Sequence, residues 1–208
     1  MRRLIPGVVL LLSNIAAADD LPMLTVEAPE GWNRERIELP PAFARDMAVK
    51  GYEEIRFAPG MFQAGSDTFF SYMIVFVLEG EPLDRESLER ELLRYYRGLA
   101  MAVGSGRGLT IDTEAFTLEL AEPMKEDDGV PAAAESPGEW IGTLNWVEPF
   151  VTGAAQELRI EIGVGAIEGH EASHVTMCIS PQAAGADIWE TMHGVRDGAR
   201  FQPAVVEQ

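Results

Sequence analysis

Cysteine and positive charge are the two features that this 208-residue chain has least of. Its single cysteine, Cys178, permits no internal disulfide, and the near absence of thiols fits an oxidising compartment. Lysine and arginine together number 16 against 34 aspartates and glutamates, for a formal net charge of −18. Because binding to a phosphate backbone needs clustered positive charge, this balance excludes a typical nucleic-acid-binding protein.

The mature part of the chain also has no apolar run long enough to cross a bilayer, which takes roughly 20 residues. Its longest run, FSYMIVFVL, has the length of a β-strand. The first 18 residues differ, because two arginines precede a short apolar stretch that ends in an Ala-Ala-Ala tripeptide. This layout predicts a cleaved signal peptide over residues 1–18 and a single globular domain over 19–208, periplasmic or secreted in a bacterium. No integral membrane segment is expected in the mature chain.

Apolar periodicity predicts two helices. Residues 84–103 carry apolar side chains three and four positions apart behind a capping Asp84, which is typical of an amphipathic helix. Residues 187–201 repeat this spacing and predict a second helix that Asp187 caps. Strands fill most of the remaining chain, and sequential strands with few helices favour the α+β class. We therefore expect a mainly antiparallel sheet of about six strands with two helices packed on it.

Other stretches refine this picture. Residues 68–80 are mostly apolar at consecutive positions, so both faces of a strand formed by them would be apolar. This predicts a central strand covered on both sides. Residues 156–166 and 174–180 alternate regularly and predict a hairpin. Residues 19–50 are rich in proline and read as an extended, turn-rich segment, whereas residues 121–139 predict an exposed acidic loop.

The chain resembles the PsbP/DcrB-like superfamily in the order of its elements. The resemblance rests on the opening VEAPEGW, the strand and helix in the middle, the late strands and a closing helix that ends in RDGARF. It implies a small α-β-α sandwich of a kind common in exported bacterial proteins. The superfamily shares no enzymatic reaction, so the resemblance implies a fold and not a mechanism.

The stretch HEASH, residues 170–174, is the one motif that matches a catalytic pattern in full. In a zinc hydrolase, His170 and His174 would bind the metal and Glu171 would act as general base. Glu190 or His193 would have to supply the third ligand. That chemistry needs a helix, whereas the flanking sequences favour strands with a turn between them. A hairpin turn, a zinc hydrolase and an incidental surface metal site all remain open at this point.

The remaining candidates favour structural roles. The stretch GSGRG (104–108) follows a helix and lacks the Lys-Ser/Thr of a phosphate loop, so it predicts a helix end. Cys178 would need a nearby positive charge to lower its pKa, and the abundant acids of the chain work against that, which predicts an inert thiol. The run EDD (126–128) lacks the spacing of a calcium loop, although calcium binding by the acidic surface stays an alternative. The four tryptophans are scattered, which is typical of core and rim positions.

These observations predict an exported, non-enzymatic domain that has a structural role or binds an unidentified protein or small-molecule partner. The alternative is a zinc-dependent hydrolase that uses His170, Glu171 and His174. No cofactor is predicted.

Overall fold

Nine strands and two α-helices make up the described part of the chain, which in this computed structural model is residues 21–123 and 138–202. The helices are α1 (Arg85–Gly106) and α2 (Asp187–Asp197), and one 3-10 turn spans Thr113–Ala115. The strands are β1 (Leu24–Thr25), β2 (Asn33–Leu39), β3 (Gly51–Phe57), β4 (Tyr72–Glu79), β5 (Thr117–Ala121), β6 (Glu139–Val147), β7 (Ala155–Ala166), β8 (Ala172–Ser180) and β9 (Arg200–Phe201).

Seven of the strands form one antiparallel sheet in the order β2-β3-β4-β8-β7-β6-β5. The predicted α+β class is thereby confirmed, and the predicted hairpin is the β7–β8 pair. The sheet also includes β2, which lies inside the proline-rich segment that was expected to be extended and turn-rich. Strands β1 and β9 come from opposite ends of the described chain and form a separate two-stranded sheet.

Each face of the main sheet is packed against a helix. Strand β4 is an interior strand between β3 and β8, and its residues alternate between the two cores: Ile74 and Phe76 face α1, whereas Met73 and Val75 face α2 and the β1–β9 pair. All four side chains are almost fully buried. The continuous apolar sequence of this strand follows from its burial on both faces, as predicted.

Helix α1 begins where the sequence predicts and runs slightly further. The carboxylate of Asp84 accepts a hydrogen bond from the backbone N–H of Ser87 at 2.8 Å, which satisfies one of the free donors of the first turn. Four side chains of the predicted apolar stripe face the core: Leu88, Leu92, Tyr95 and Tyr96. The helix ends at Gly106, inside the GSGRG stretch, so the predicted helix end is confirmed.

Helix α2 departs from its prediction at both ends. The capping position is Ala186, which makes no side-chain hydrogen bond, and Asp187 is instead the first helical residue. The helix ends at Asp197 and does not continue to Phe201, so the predicted length was wrong. The last residues instead form β9, which pairs with Leu24 and Thr25. This pairing joins residues far apart in sequence, and no local periodicity could indicate it.

The predicted signal peptide (residues 1–18) lies outside the described residues, as does most of the predicted acidic loop at 121–139. Within the described residues, neither helix combines the length and apolar character needed to span a membrane.

Candidate functional site

The connection between β3 and β4, residues 58–71, is an ordered loop although it contains no regular element. Its two ends are tied together by the backbone N–H of Phe70, which donates to the carbonyl of Met61 at 3.0 Å. The hydroxyl of Thr68 donates to the carbonyl of Pro59 across the loop. Phe70 has a φ of +48°, a left-handed conformation that is strained for an aromatic residue. The loop therefore holds a specific shape against a local conformational cost.

The turn between β6 and β7, residues 148–154, is organised by one buried carboxylate. Glu148 is fully buried and accepts hydrogen bonds from the backbone N–H groups of Phe150, Val151 and Thr152. The Val151 and Thr152 nitrogens lie 3.0 and 2.7 Å from its oxygens, and the Thr152 hydroxyl adds a fourth donor at 2.9 Å. A carboxylate with this many donors locks the backbone of the turn.

A cation from the end of α1 secures the same turn from outside. The guanidinium of Arg107 donates to the carbonyl of Pro149 at 2.5 Å and to that of Val151 at 3.0 Å. Arg107 is the fourth residue of the GSGRG stretch. Its guanidinium binds backbone carbonyls of the protein itself. Arg107 thus donates to the carbonyls of the turn, and Glu148 accepts from its N–H groups.

The two ordered segments together present a group of aromatic rings, which we call the aromatic platform and which consists of Phe57, Phe62 and Phe150. The ring of Phe62 lies 6.3 Å from that of Phe57 and 5.6 Å from that of Phe150, centroid to centroid. Phe62 is 53% exposed, and the other two rings are half-buried. Behind them, Phe70 lies 5.8 Å from Phe150 and 5.2 Å from the buried Trp146. The platform is therefore the surface end of a packed aromatic core.

The HEASH residues do not form the helix that a zinc hydrolase needs. His170 lies in the β7–β8 turn, where its backbone N–H donates to the carbonyl of Ile167 at 3.1 Å. Glu171 immediately precedes β8, and His174 lies on that strand opposite Val77 and Gly165. The structure thus shows the hairpin-turn arrangement that was one of the open interpretations.

His170 and Glu171 share a cleft that His174 does not line. This cleft has a volume of about 210 Å³, and its other walls are Gly80, Glu81, Pro82, Ala166 and Ala172. His174 instead packs its ring 5.4 Å from that of Phe201, and burial lowers the pKa of its imidazole. Within residues 21–123 and 138–202, no three histidine, cysteine or acidic side chains are grouped as metal ligands would be. Metal binding by HEASH stays a prediction.

The two residues considered as third ligands both lie on α2. The Nε2 atom of His193 is 2.6 Å from the carboxylate of Glu161 on β7, which also lies 3.0 Å from Nε of Arg159. Glu190 is exposed and lines a shallow groove with Glu27. His193 therefore has a protein partner of its own.

The remaining candidates have structural surroundings. Cys178 is fully buried on the α2 side of β8, and burial raises the pKa of its thiol to about 12, in agreement with an inert thiol. Trp146 and Trp189 are buried and Trp32 and Trp140 are half-buried, in agreement with core and rim positions. The EDD run at 126–128 lies outside the described residues.

The sequence interpretation missed the platform and the carboxylate that organises it. One signal was available: Phe62 stands in PGMFQAG, where turn-forming residues surround a large apolar side chain that no strand or helix can bury. Glu148 gave a weaker signal, since it stands just after a strand and before a run of turn residues. Neither signal identifies the second segment that packs beside the first.

Comparisons of the chain with protein-family models, with curated proteins and with solved structures find no match to any of them.

Proposed function

We propose that this chain is an exported, non-enzymatic domain that binds a protein partner through the aromatic platform. The observation that carries the proposal is the 53% exposure of Phe62 beside Phe150, on two neighbouring segments that hydrogen bonds hold in place. The signal-peptide pattern of residues 1–18 supports export. The resemblance to the PsbP/DcrB-like superfamily, whose members share no enzymatic reaction, supports a non-enzymatic role. The helix-sheet-helix layering is in keeping with that resemblance.

The rigidity of the platform is the physical reason to expect binding. Flexible side chains lose conformational entropy when a partner immobilises them, whereas a ring already fixed by its surroundings loses little. Aromatic rings also dominate the energetic centres of protein interfaces, because they bury a large apolar area with few rotatable bonds. An exposed phenylalanine on an otherwise ordered loop is unfavourable in water, so burial by a partner would recover free energy.

The expected partner is a polypeptide segment that carries apolar side chains flanked by lysine or arginine. Its apolar side chains would cover Phe62, and its positive charges would match the acidity of a chain with net charge −18. The same acidity disfavours nucleic acid and anionic lipid surfaces, since both would be repelled. Long-range attraction of this kind weakens as salt rises.

The experiment is a selection of random 12-residue peptides displayed on phage against the purified chain, followed by affinity measurements with the synthesised peptides. We expect the selected peptides to be enriched in aromatic and basic residues. Replacement of Phe62 by serine should weaken their binding at least tenfold, because the central apolar contact is lost. The melting temperature of F62S should stay close to that of the wild type, since its ring is half-exposed.

Met101→Ser is the matched control, because Met101 is 58% exposed on α1 and forms no part of the platform. This variant should bind the peptides as the wild type does. Equal binding to F62S and the wild type would contradict the proposal, as would a selection that yields no peptide with measurable affinity. Measurable turnover on peptide, ester or glycoside substrates would contradict its non-enzymatic part.

A further inference from the structure

Glu53 is a carboxyl buried where the sheet is otherwise apolar. It lies on β3 between Ile37 of β2 and Phe76 of β4, and its side chain faces α1. Its exposed fraction is zero. Burial of a charged carboxylate is costly unless hydrogen-bond donors or cations replace water around it.

One hydrogen bond reaches this carboxyl. The hydroxyl of Tyr95 on α1 lies 3.2 Å from Oε1, whereas Oε2 is inaccessible to water and has no partner within the described residues. Two further hydroxyls nearby are engaged with each other, since those of Tyr72 and Tyr96 lie 2.7 Å apart. The site therefore penalises the charged form of the carboxyl more than its neutral form.

The groups that face Glu53 are Glu35 from β2, Tyr95 and Tyr96 from α1 and Tyr72 from β4, and none of these four is a cation. Burial, and to a smaller extent the charge of Glu35, raise the pKa of Glu53 to about 8, while the Tyr95 hydrogen bond opposes the increase. Burial also raises the pKa of Glu35. Near neutral pH, Glu53 is therefore protonated.

The segment that joins β2 to β3, residues 40–50, which we call the strap, packs on α1 against Tyr95, the residue that donates to Glu53. Its Phe43 ring packs edge-on against Tyr95, with centroids 5.1 Å apart. The carbonyl of Phe43 approaches α1 so closely that a Cβ on Gly98 would lie 2.2 Å from it. The backbone N–H of Ala48 donates to the buried carboxylate of Glu91 at 2.7 Å. These are tertiary contacts to α1, and the strap contains no regular element of its own.

We propose that the strap is a proton-controlled cover, held closed while Glu53 is neutral and released when that carboxyl loses its proton. The ionised carboxylate needs water or further donors at Oε2, and displacement of Phe43 from Tyr95 is the shortest change that admits them. The strap can open while the sheet stays intact because it lies outside the sheet ladder, although opening also exposes the buried Ala44 and Met47. Acidification therefore closes the strap more firmly.

The direction and size of the effect follow from linkage. In the open state Glu53 regains water, and its pKa returns towards the ordinary 4.5, whereas in the closed state it is about 8. The opening equilibrium constant then rises by up to about tenfold for each pH unit between these two values and levels off above the higher one. Below pH 4.5 both states are protonated, and the opening constant is at its smallest.

The experiment is amide hydrogen exchange of the whole chain between about pH 5 and pH 9, corrected for the intrinsic exchange rate at each pH. We expect protection of strap amides to fall at least tenfold from pH 5 to pH 8 in the wild type. In Glu53→Gln, which cannot ionise and retains its shape, strap protection should not change with pH. A carbon-13 titration of the Glu53 carboxyl in the folded protein gives an independent reading of its ionisation.

Glu91→Ala is the control for strap contacts without the titrating group. It removes the acceptor of the Ala48 N–H, so strap protection should fall at every pH while its pH dependence persists. Three results would overturn the proposal: strap protection independent of pH in the wild type, the same pH dependence in E53Q, or strap amides that exchange only together with those of β4. The last result would assign the effect to global unfolding. A normal carboxyl titration in the folded protein would overturn it as well.

Discussion

Two fully buried glutamates in this chain have opposite surroundings. Glu148, at the turn between β6 and β7, receives three backbone N–H groups and one hydroxyl. Glu53, inside the α1 core, receives one tyrosine hydroxyl and has one oxygen that no described residue contacts by a hydrogen bond. Both have an exposed fraction of zero. Burial alone therefore says little about what a carboxyl does in a protein.

The number of donors separates the two roles. At Glu148 the donors replace the lost hydration, and the carboxylate in turn fixes three consecutive backbone positions beneath the aromatic platform. At Glu53 the lost hydration is not replaced, so the carboxyl retains its proton and the site becomes sensitive to pH. We infer that Glu148 fixes the backbone shape of its turn and that Glu53 makes its surroundings respond to pH.

The strongest way to break this comparison is to remove the carboxylate of Glu148. Glu148→Ala would leave three backbone N–H groups in a partly buried turn without their acceptor. We expect a loss of about 3–4 kcal/mol in the free energy of unfolding, at roughly 1 kcal/mol for each donor. Urea denaturation measures it. Glu157→Ala, an exposed acid on the adjoining β7, should change stability by less than about 0.5 kcal/mol. Equal free energies of unfolding for E148A and E157A would show that water replaces the Glu148 carboxylate as acceptor for the turn's N–H groups without loss of stability.

A second test compares the slopes of stability against pH. The raised pKa of Glu53 means that above pH 4.5 the unfolded chain ionises while the folded chain keeps its proton, so stability is lost as pH rises towards 8. Between about pH 5 and pH 7.5 this effect amounts to at most about 3 kcal/mol. Glu53→Gln should remove that part of the slope, as measured by urea denaturation at several pH values. Identical slopes in E53Q and the wild type would contradict the assigned role of Glu53.

The elements predicted from sequence are those whose signal is local. The apolar stripe of α1 repeats along most of the helix, which begins just after its Asp84 cap, while β4 is apolar on both faces because both are buried. The short strand β9 could not be found in this way. Its pairing with β1 depends on residues almost the whole domain apart, and RDGARF looks locally like the continuation of a helix.

The candidate sites also divide into features that the local sequence predicts and features that depend on residues from other elements. HEASH matched a catalytic pattern by its letters, but strand-forming neighbours determine its backbone. The position of Glu53 could have been recognised, because it shares the alternation of Ile55 and Phe57 and so belongs to the inward face of β3. An acid on an inward face is a signal for a perturbed carboxyl. Its single donor, Tyr95, comes from another element and could not be identified from the pattern of β3.

The smallest expected effect comes from Tyr95→Phe, which sharpens the comparison by removing the one donor to Glu53 found among residues 21–123 and 138–202. We expect a loss of about 1 kcal/mol in the free energy of unfolding, as for a typical single hydrogen bond. The pKa of Glu53 should rise further, because the Tyr95 hydroxyl is the group that lowers it. Tyr96→Phe is the matched control, since it breaks the 2.7 Å contact with Tyr72 but leaves the Glu53 donor in place. If a carbon-13 titration finds the same Glu53 pKa in both variants, the hydroxyl of Tyr95 does not govern the ionisation of this carboxyl.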